Sequence, residues 1–195
     1  GSSACVRLLL DESAGPNAPT GSIEAFQRAW LVLFQRDEDM PEDGSIAEML
    51  IGAGADPLRR GHLPNESCVV LQAATRMRPA ALERLAAITN LPLTEENWLG
   101  RTPLAMVISK SGSDRFDLGR SKRCAEALLK AGVPGLETAE AYRKKKRVFW
   151  EIKKSEKREA LLSFVENWER DEIASVVGQG SDPNETTNKK KRRGL

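Results

Sequence analysis

The chain has 195 residues, of which 40% are hydrophobic and 30% charged, and its formal net charge is +2. These values allow one compact domain or a short repeat array. No apolar run approaches the ~18 residues of a membrane-spanning helix, so the sequence excludes such a helix and predicts no membrane partner. The cysteines are odd in number and lack a C-x-x-C pair, which argues against a disulfide framework or a zinc ribbon and favours a reducing compartment.

Positive charge is concentrated near the C-terminus. Residues 1–142 contain 15 basic and 19 acidic residues, whereas residues 143–195 contain 15 basic and 9 acidic residues. The basic clusters at 143–147 and 189–193 resemble nuclear import signals. We therefore expect an intracellular protein, nuclear or cytoplasmic, with the nucleus slightly favoured.

A helix followed by a glycine turn recurs along the chain. In the clearest copy, residues 46–57, Ile46, Met49 and Leu50 lie on one helical face, and Gly54 can adopt the left-handed conformation that ends a helix. The pattern predicts about five units. The other copies are residues 6–17, 82–90, 123–134 and 173–184.

A signal for the start of a helix lies at residues 100–104. Thr102 can cap a helix, and Pro103 fits its first turn, where a missing N–H costs nothing. Residues 68–74 are a weaker copy. The Gly-x-Thr-Pro-Leu start, combined with a helix end in Gly-Ala-Asp-Pro at 54–57, resembles the ankyrin repeat, a β-turn plus two antiparallel helices.

The resemblance implies an all-α fold over residues 4–184: an ankyrin-type helix-turn-helix solenoid whose terminal units are degenerate. Ala105 replaces the histidine that usually follows Thr-Pro-Leu in this family, and the helix ends are further apart than the family's ~33 residues. The extra residues must bulge out, and their composition predicts insertions at 37–44 and 109–121.

The segment 138–168 departs from the repeat. It is an extended basic helical segment, with nine basic residues between 143 and 158. We expect residues 159–168 to form the inner helix of an enlarged final unit that leads into the copy at 173–184. The polar outer face of this unit would suit the exposed end of a solenoid.

Both ends of the chain are expected to lie outside the repeat domain. Residues 1–3 are typical of a remnant left by protein expression, and a start at Ala4 within a predicted helix favours a fragment of a longer protein. Residues 185–195 are polar and charged without apolar periodicity, which is typical of a disordered basic tail.

Catalytic residues have little support in the sequence. The single histidine, His62, lies in a predicted turn, so neither a Ser-His-Asp nor a Cys-His arrangement is expected. The acidic residues at 37–43 lack calcium-loop spacing, which favours a solvated acidic loop over a metal site. A glycine-rich phosphate-binding loop is also missing. We expect a non-catalytic protein without a cofactor or a metal ion.

Binding is the remaining class of function. The ankyrin resemblance implies an interaction module or scaffold that recognises a partner protein or peptide through its concave face and turn tips. Trp98 occupies a predicted tip, where it either anchors a partner or packs on the neighbouring repeat. The tip of the preceding unit carries Arg59, Arg60 and His62, which could bind an acidic group of a partner or remain solvated. The partner-binding candidates are Trp98, Asn97, Glu96, Arg59, Arg60 and His62.

An alternative function is association with nucleic acid or chromatin through the basic helix 143–158 and the tail. Its cations could neutralise phosphates, while Phe149 and Trp150 could stack on bases. The competing interpretation is a solvated helix face, because glutamates interrupt the positive charge. The basic patch consists of Arg143, Lys144, Lys145, Lys146 and Arg147.

Overall fold

A computed structural model describes residues 3–17, 30, 40, 42–57, 68–88, 91, 93–97, 99–149 and 155–179, with the backbone alone at 145–149, 169 and 171–179. This part of the chain is entirely helical and contains no strand. The expected all-α class is therefore confirmed. The helices are α1 (Ser3–Asp11), α2 (Glu42–Gly52), α3 (Val69–Thr75), α4 (Pro79–Ala86), α5 (Pro103–Ser111), α6 (Leu118–Lys130), α7 (Gly135–Phe149) and α8 (Glu156–Gln179).

The helices stack in two rows. In the outer row, α1, α2, α4, α6 and α8 pack one after another, and in the inner row α3 packs on α5 and α5 on α7. The pairs α3/α4, α5/α6 and α7/α8 pack across the rows and are joined by short connections. Leucines with their side chains fully buried, including Leu82, Leu104, Leu128 and Leu161, form the core of the stack.

The same backbone geometry ends α1, α2, α3 and α6. A residue in the left-handed conformation follows the helix, and the next N–H donates to the carbonyl oxygen five residues earlier at 2.9–3.1 Å. The prediction for Gly54 is confirmed. The left-handed residues are Ser13, Gly54, Met77 and Gly132, with φ values of 64°, 80°, 54° and 85°.

The predicted helix start at residues 100–104 is also confirmed. The hydroxyl oxygen of Thr102 accepts a hydrogen bond from the N–H of Ala105 at 3.3 Å, and Pro103 lies in the first turn of α5. Leu104 is completely buried. This cap fixes the residue at which the chain enters the inner row.

A buried ion pair joins α2 to α4. The Nη1 atom of Arg78 donates to Oδ2 of Asp43 at 3.0 Å, and Arg78 is 1% exposed. The sequence predicts an insertion at 37–44 and a solvated acidic loop at 37–43. Both predictions are wrong where they cover residues 42–44, because α2 begins at Glu42 and Asp43 is buried in its first turn. Within the described residues, Nε and Nη2 of Arg78 have no hydrogen-bond partner, so the pair is incompletely satisfied.

The last helix differs from the prediction. Residues 156–179 form one continuous helix, and it packs on α6 in the outer row rather than forming an inner helix. Because α7 precedes it and packs on α5, the inner position of the last pair is already occupied. The insertion predicted at 109–121 is shorter than expected, since the connection between α5 and α6 comprises only residues 112–117.

Replacement of Asp43 by alanine should lower the free energy of unfolding by about 3–5 kcal/mol, because Arg78 is left buried without its counter-charge. Urea titration followed by circular dichroism measures the change. The matched control is Glu48→Ala on the same helix, whose exposed carboxylate lies 3.9 Å from Arg84 and should contribute less than about 1 kcal/mol. Equal losses in the two variants would contradict a buried pair, and Asp43→Ala combined with Arg78→Met should recover most of the loss.

Two glycines at the end of α2 should respond to alanine in opposite directions. A Cβ at either position meets nothing within 4 Å, so only the backbone decides the outcome. Gly52 is helical and Gly52→Ala should raise the free energy of unfolding by about 0.5–1 kcal/mol, whereas Gly54→Ala should lower it by about 1–2 kcal/mol. Thermal unfolding of both variants tests this, and a gain from Gly54→Ala would exclude the left-handed helix end.

Candidate protein-binding surface

A tight turn precedes α5 and includes Asn97 and residues 99–101; we call it the hairpin. The side chain of Asn97 organises it. Its Oδ1 atom accepts hydrogen bonds from the N–H groups of Leu99 at 2.9 Å and Arg101 at 3.0 Å. The backbone N–H of Asn97 donates to the carbonyl of Arg101 at 3.0 Å, and Gly100 closes the turn with φ of 63°. These hydrogen bonds hold the backbone of Asn97 and of residues 99–101 in one arrangement.

The hairpin presents side chains of different chemistry to solvent. Glu96 is exposed, and Leu99 is 47% exposed although it is a large apolar residue. Arg101 lies along the solvent-facing stripe of α5, where its Nη1 atom donates to the hydroxyl of Ser109 at 3.2 Å. Ala105 lies between them on this stripe and is half-buried. We call Glu96, Leu99, Arg101, Ala105 and Ser109 the tip surface.

The structure gives Asn97 a role that the sequence analysis did not assign to it. Its amide is used within the hairpin, including a contact of 3.5 Å from Nδ2 to the sulfur of Met106. Asn at the first position of a turn and Gly at the fourth is a recognised turn pattern, and Asn97 and Gly100 carry it. Leu99 is the exposed side chain that the sequence analysis overlooked. Of the other predicted residues, Trp98, Arg59, Arg60 and His62 lie outside the described residues.

The basic patch is partly engaged within the fold. Nε of Arg143 donates to Glu166 at 2.8 Å, and its Nη1 donates to Glu159 at 2.9 Å. These bonds join α7 to α8. The hydrogen bond to Glu166 is the main cause that raises the pKa of Arg143 above its ordinary value, while burial opposes the rise.

The other members of the basic patch differ in their environment. Lys144 is exposed, and its Nζ lies 3.9 Å from the carboxylate of Glu140 one turn earlier. Lys145, Lys146 and Arg147 belong to α7, and their side chains lie outside the described part of the structure. The guanidinium of Arg143 is thus already bonded to carboxylates, which leaves it less suited to phosphate than the sequence pattern predicts.

Two classes of feature are missing from the described residues. Within them, no helix is both long and apolar enough to cross a bilayer. In the same residues, no group of three or more His, Cys, Asp or Glu side chains is arranged to hold a metal ion.

Comparisons of the chain with protein-family models, with curated proteins and with solved structures found no match.

Removal of the Asn97 amide should loosen the hairpin without unfolding the stack. In Asn97→Ala, the N–H groups of Leu99 and Arg101 lose their shared acceptor, so their hydrogen exchange should accelerate by about tenfold, as expected for the loss of about 1.4 kcal/mol. Exchange measured by NMR provides the test. Asn97→Asp keeps the acceptor oxygen and should retain slow exchange, and unchanged exchange in Asn97→Ala would contradict the proposed role.

Proposed function

We propose that the chain is an ankyrin-type solenoid that acts as a non-catalytic protein-binding module. The stacking of helix pairs in two rows and the capped start of α5 support this architecture. In such a stack, the hairpin tips and the solvent-facing stripe of the inner helices form one extended surface for recognition.

The observation that carries the proposal is the preorganised hairpin with Leu99 exposed at its tip. Binding to a preordered turn costs less conformational entropy than binding to a flexible loop, because the turn does not have to become ordered. The tip surface combines an apolar side chain with one anion and one cation, which can anchor and orient a protein or peptide. Because Arg143 is bonded to two glutamates, binding through the tip surface is favoured over nucleic-acid binding through the basic patch.

Affinity purification from a nuclease-treated extract, followed by mass spectrometry and binding measurements with the purified partner, tests the proposal. Leu99→Glu should weaken binding of the partner by about tenfold or more, because it places a charge in the apolar contact. Leu8→Glu is the matched control, since Leu8 is also exposed, at 63%, but lies on the outer helix α1 at the N-terminal end of the stack. Its effect should stay below about twofold.

Two outcomes would contradict the proposal. In the first, both leucine variants weaken binding equally. In the second, recovery requires intact nucleic acid, falls steeply with salt and is lost when Lys144, Lys145 and Lys146 are replaced by glutamate. That result would support the nucleic-acid alternative. A partner held by the tip surface should show a shallow dependence on salt, and a nuclear location of the complex stays a prediction.

A further inference from the structure

The edge of the stack opposite the hairpin carries a cluster of basic side chains. At this turn edge, α3 turns into α4, α5 turns into α6, and α8 begins. The described carboxylates at this edge include Asp114, whose Oδ1 lies 4.0 Å from Nζ of Lys157, and Asp117, whose Oδ1 accepts a hydrogen bond from the N–H of Arg120. The exposed and partly exposed basic residues of the cluster are Arg76, Lys110, Arg115, Arg120 and Lys157.

The loop between α5 and α6 holds several of these cations in place. Phe116 is buried, and the guanidinium carbons of Arg115 and Arg120 lie 6.0 and 5.4 Å from the centre of its ring. Nε of Arg120, in the first turn of α6, also donates to the carbonyl of Met77 at 2.6 Å, which links the start of α6 to the preceding helix pair. Lys157 donates to the carbonyl of Phe116 at 3.4 Å and therefore links the loop to α8.

Arg158 fixes the start of α8 on the end of α5. It is buried and donates from Nη2 to the carbonyl of Ser109 at 3.3 Å. Gly112 leaves the space for this guanidinium, because a Cβ at that position would fall 2.6 Å from Cζ of Arg158. The first turn of α8, which carries Lys157, is thereby held against the end of α5, which carries Lys110, so cations of three successive helix pairs lie along one edge of the stack.

The size and chemistry of the cluster indicate what it binds. Packed helices are spaced by about 8–10 Å, so three successive pairs extend over about 20 Å, the length of about six extended residues. Ammonium and guanidinium groups bind carboxylates well. The ring of Phe116 is buried and is therefore not accessible for stacking on nucleic-acid bases.

We infer that the turn edge is a second binding surface, which takes a short, extended acidic segment of a partner protein. This surface lies at the opposite ends of the helices from the tip surface. The two surfaces can therefore be occupied independently, and the failure of one proposal leaves the other intact.

Fluorescence anisotropy with a labelled eight-residue peptide of alternating Glu and Ser tests the inference at low salt. Arg76→Gln combined with Lys110→Gln should weaken binding of this peptide by about fivefold or more. The matched control, Arg84→Gln combined with Lys130→Gln, also removes one arginine and one lysine, both from the last turns of outer helices at the hairpin edge. It should change binding by less than about twofold.

Three results would overturn the inference. They are absence of binding by the unmodified protein, equal losses in the two double variants, and tighter binding of a single-stranded oligothymidylate of the same charge that depends on Arg76 and Lys110. Circular dichroism and thermal unfolding verify that both variants fold. Arg76 and Arg84 are exposed, Lys110 is partly exposed and the side chain of Lys130 is 65% exposed, so none of the four replacements disturbs the core.

Discussion

A left-handed residue at the helix end determines the path of the chain in this protein. The backbone hydrogen bond that accompanies it ties the next residue to the last helical turn, so the chain leaves α1, α2, α3 and α6 with the same geometry. Gly54 and Gly132 adopt this conformation without steric cost. Met77 carries a side chain and is fully buried, so the packing around it must offset a cost of about 1–2 kcal/mol. The side-by-side stacking of the helices depends on these reversals.

Different interactions hold the loops in place at the two edges of the stack. At the hairpin edge, one amide side chain, that of Asn97, satisfies the backbone N–H groups of the turn. At the turn edge, a buried ring, that of Phe116, supports guanidinium groups, and Arg120 bonds to a carbonyl of the neighbouring pair. Both devices place exposed functional groups on loops that a rigid scaffold positions, which is where binding residues are commonly found.

The sequence predicts the parts of the fold that depend on local interactions. Thr102 with Pro103 and the left-handed Gly54 could be predicted because cap and helix-end chemistry is contained in a few adjacent residues. The burial of Asp43 could not be predicted, since its partner Arg78 lies far along the chain. Met77 has no sequence signal because methionine rarely adopts a left-handed conformation. Residues 169–172 contain neither glycine nor proline, a fact consistent with the continuous α8, but the repeat pattern suggested a break there. The exposure of Leu99 depends on the turn and required the structure.

The contacts around the loop that carries Phe116 also affect how the stack should unfold. In a solenoid, each unit contacts only its neighbours, so an end unit can fray at the cost of a single interface. Here the α5/α6 pair bonds to the preceding pair through Arg120 of α6 and the carbonyl of Met77, and to the following pair through the carbonyl of Phe116 and Lys157. Loss of α8 would therefore disturb contacts that reach back to α3. The three C-terminal pairs are therefore expected to unfold together, whereas α1, whose main helix contacts are with α2, is expected to open more readily.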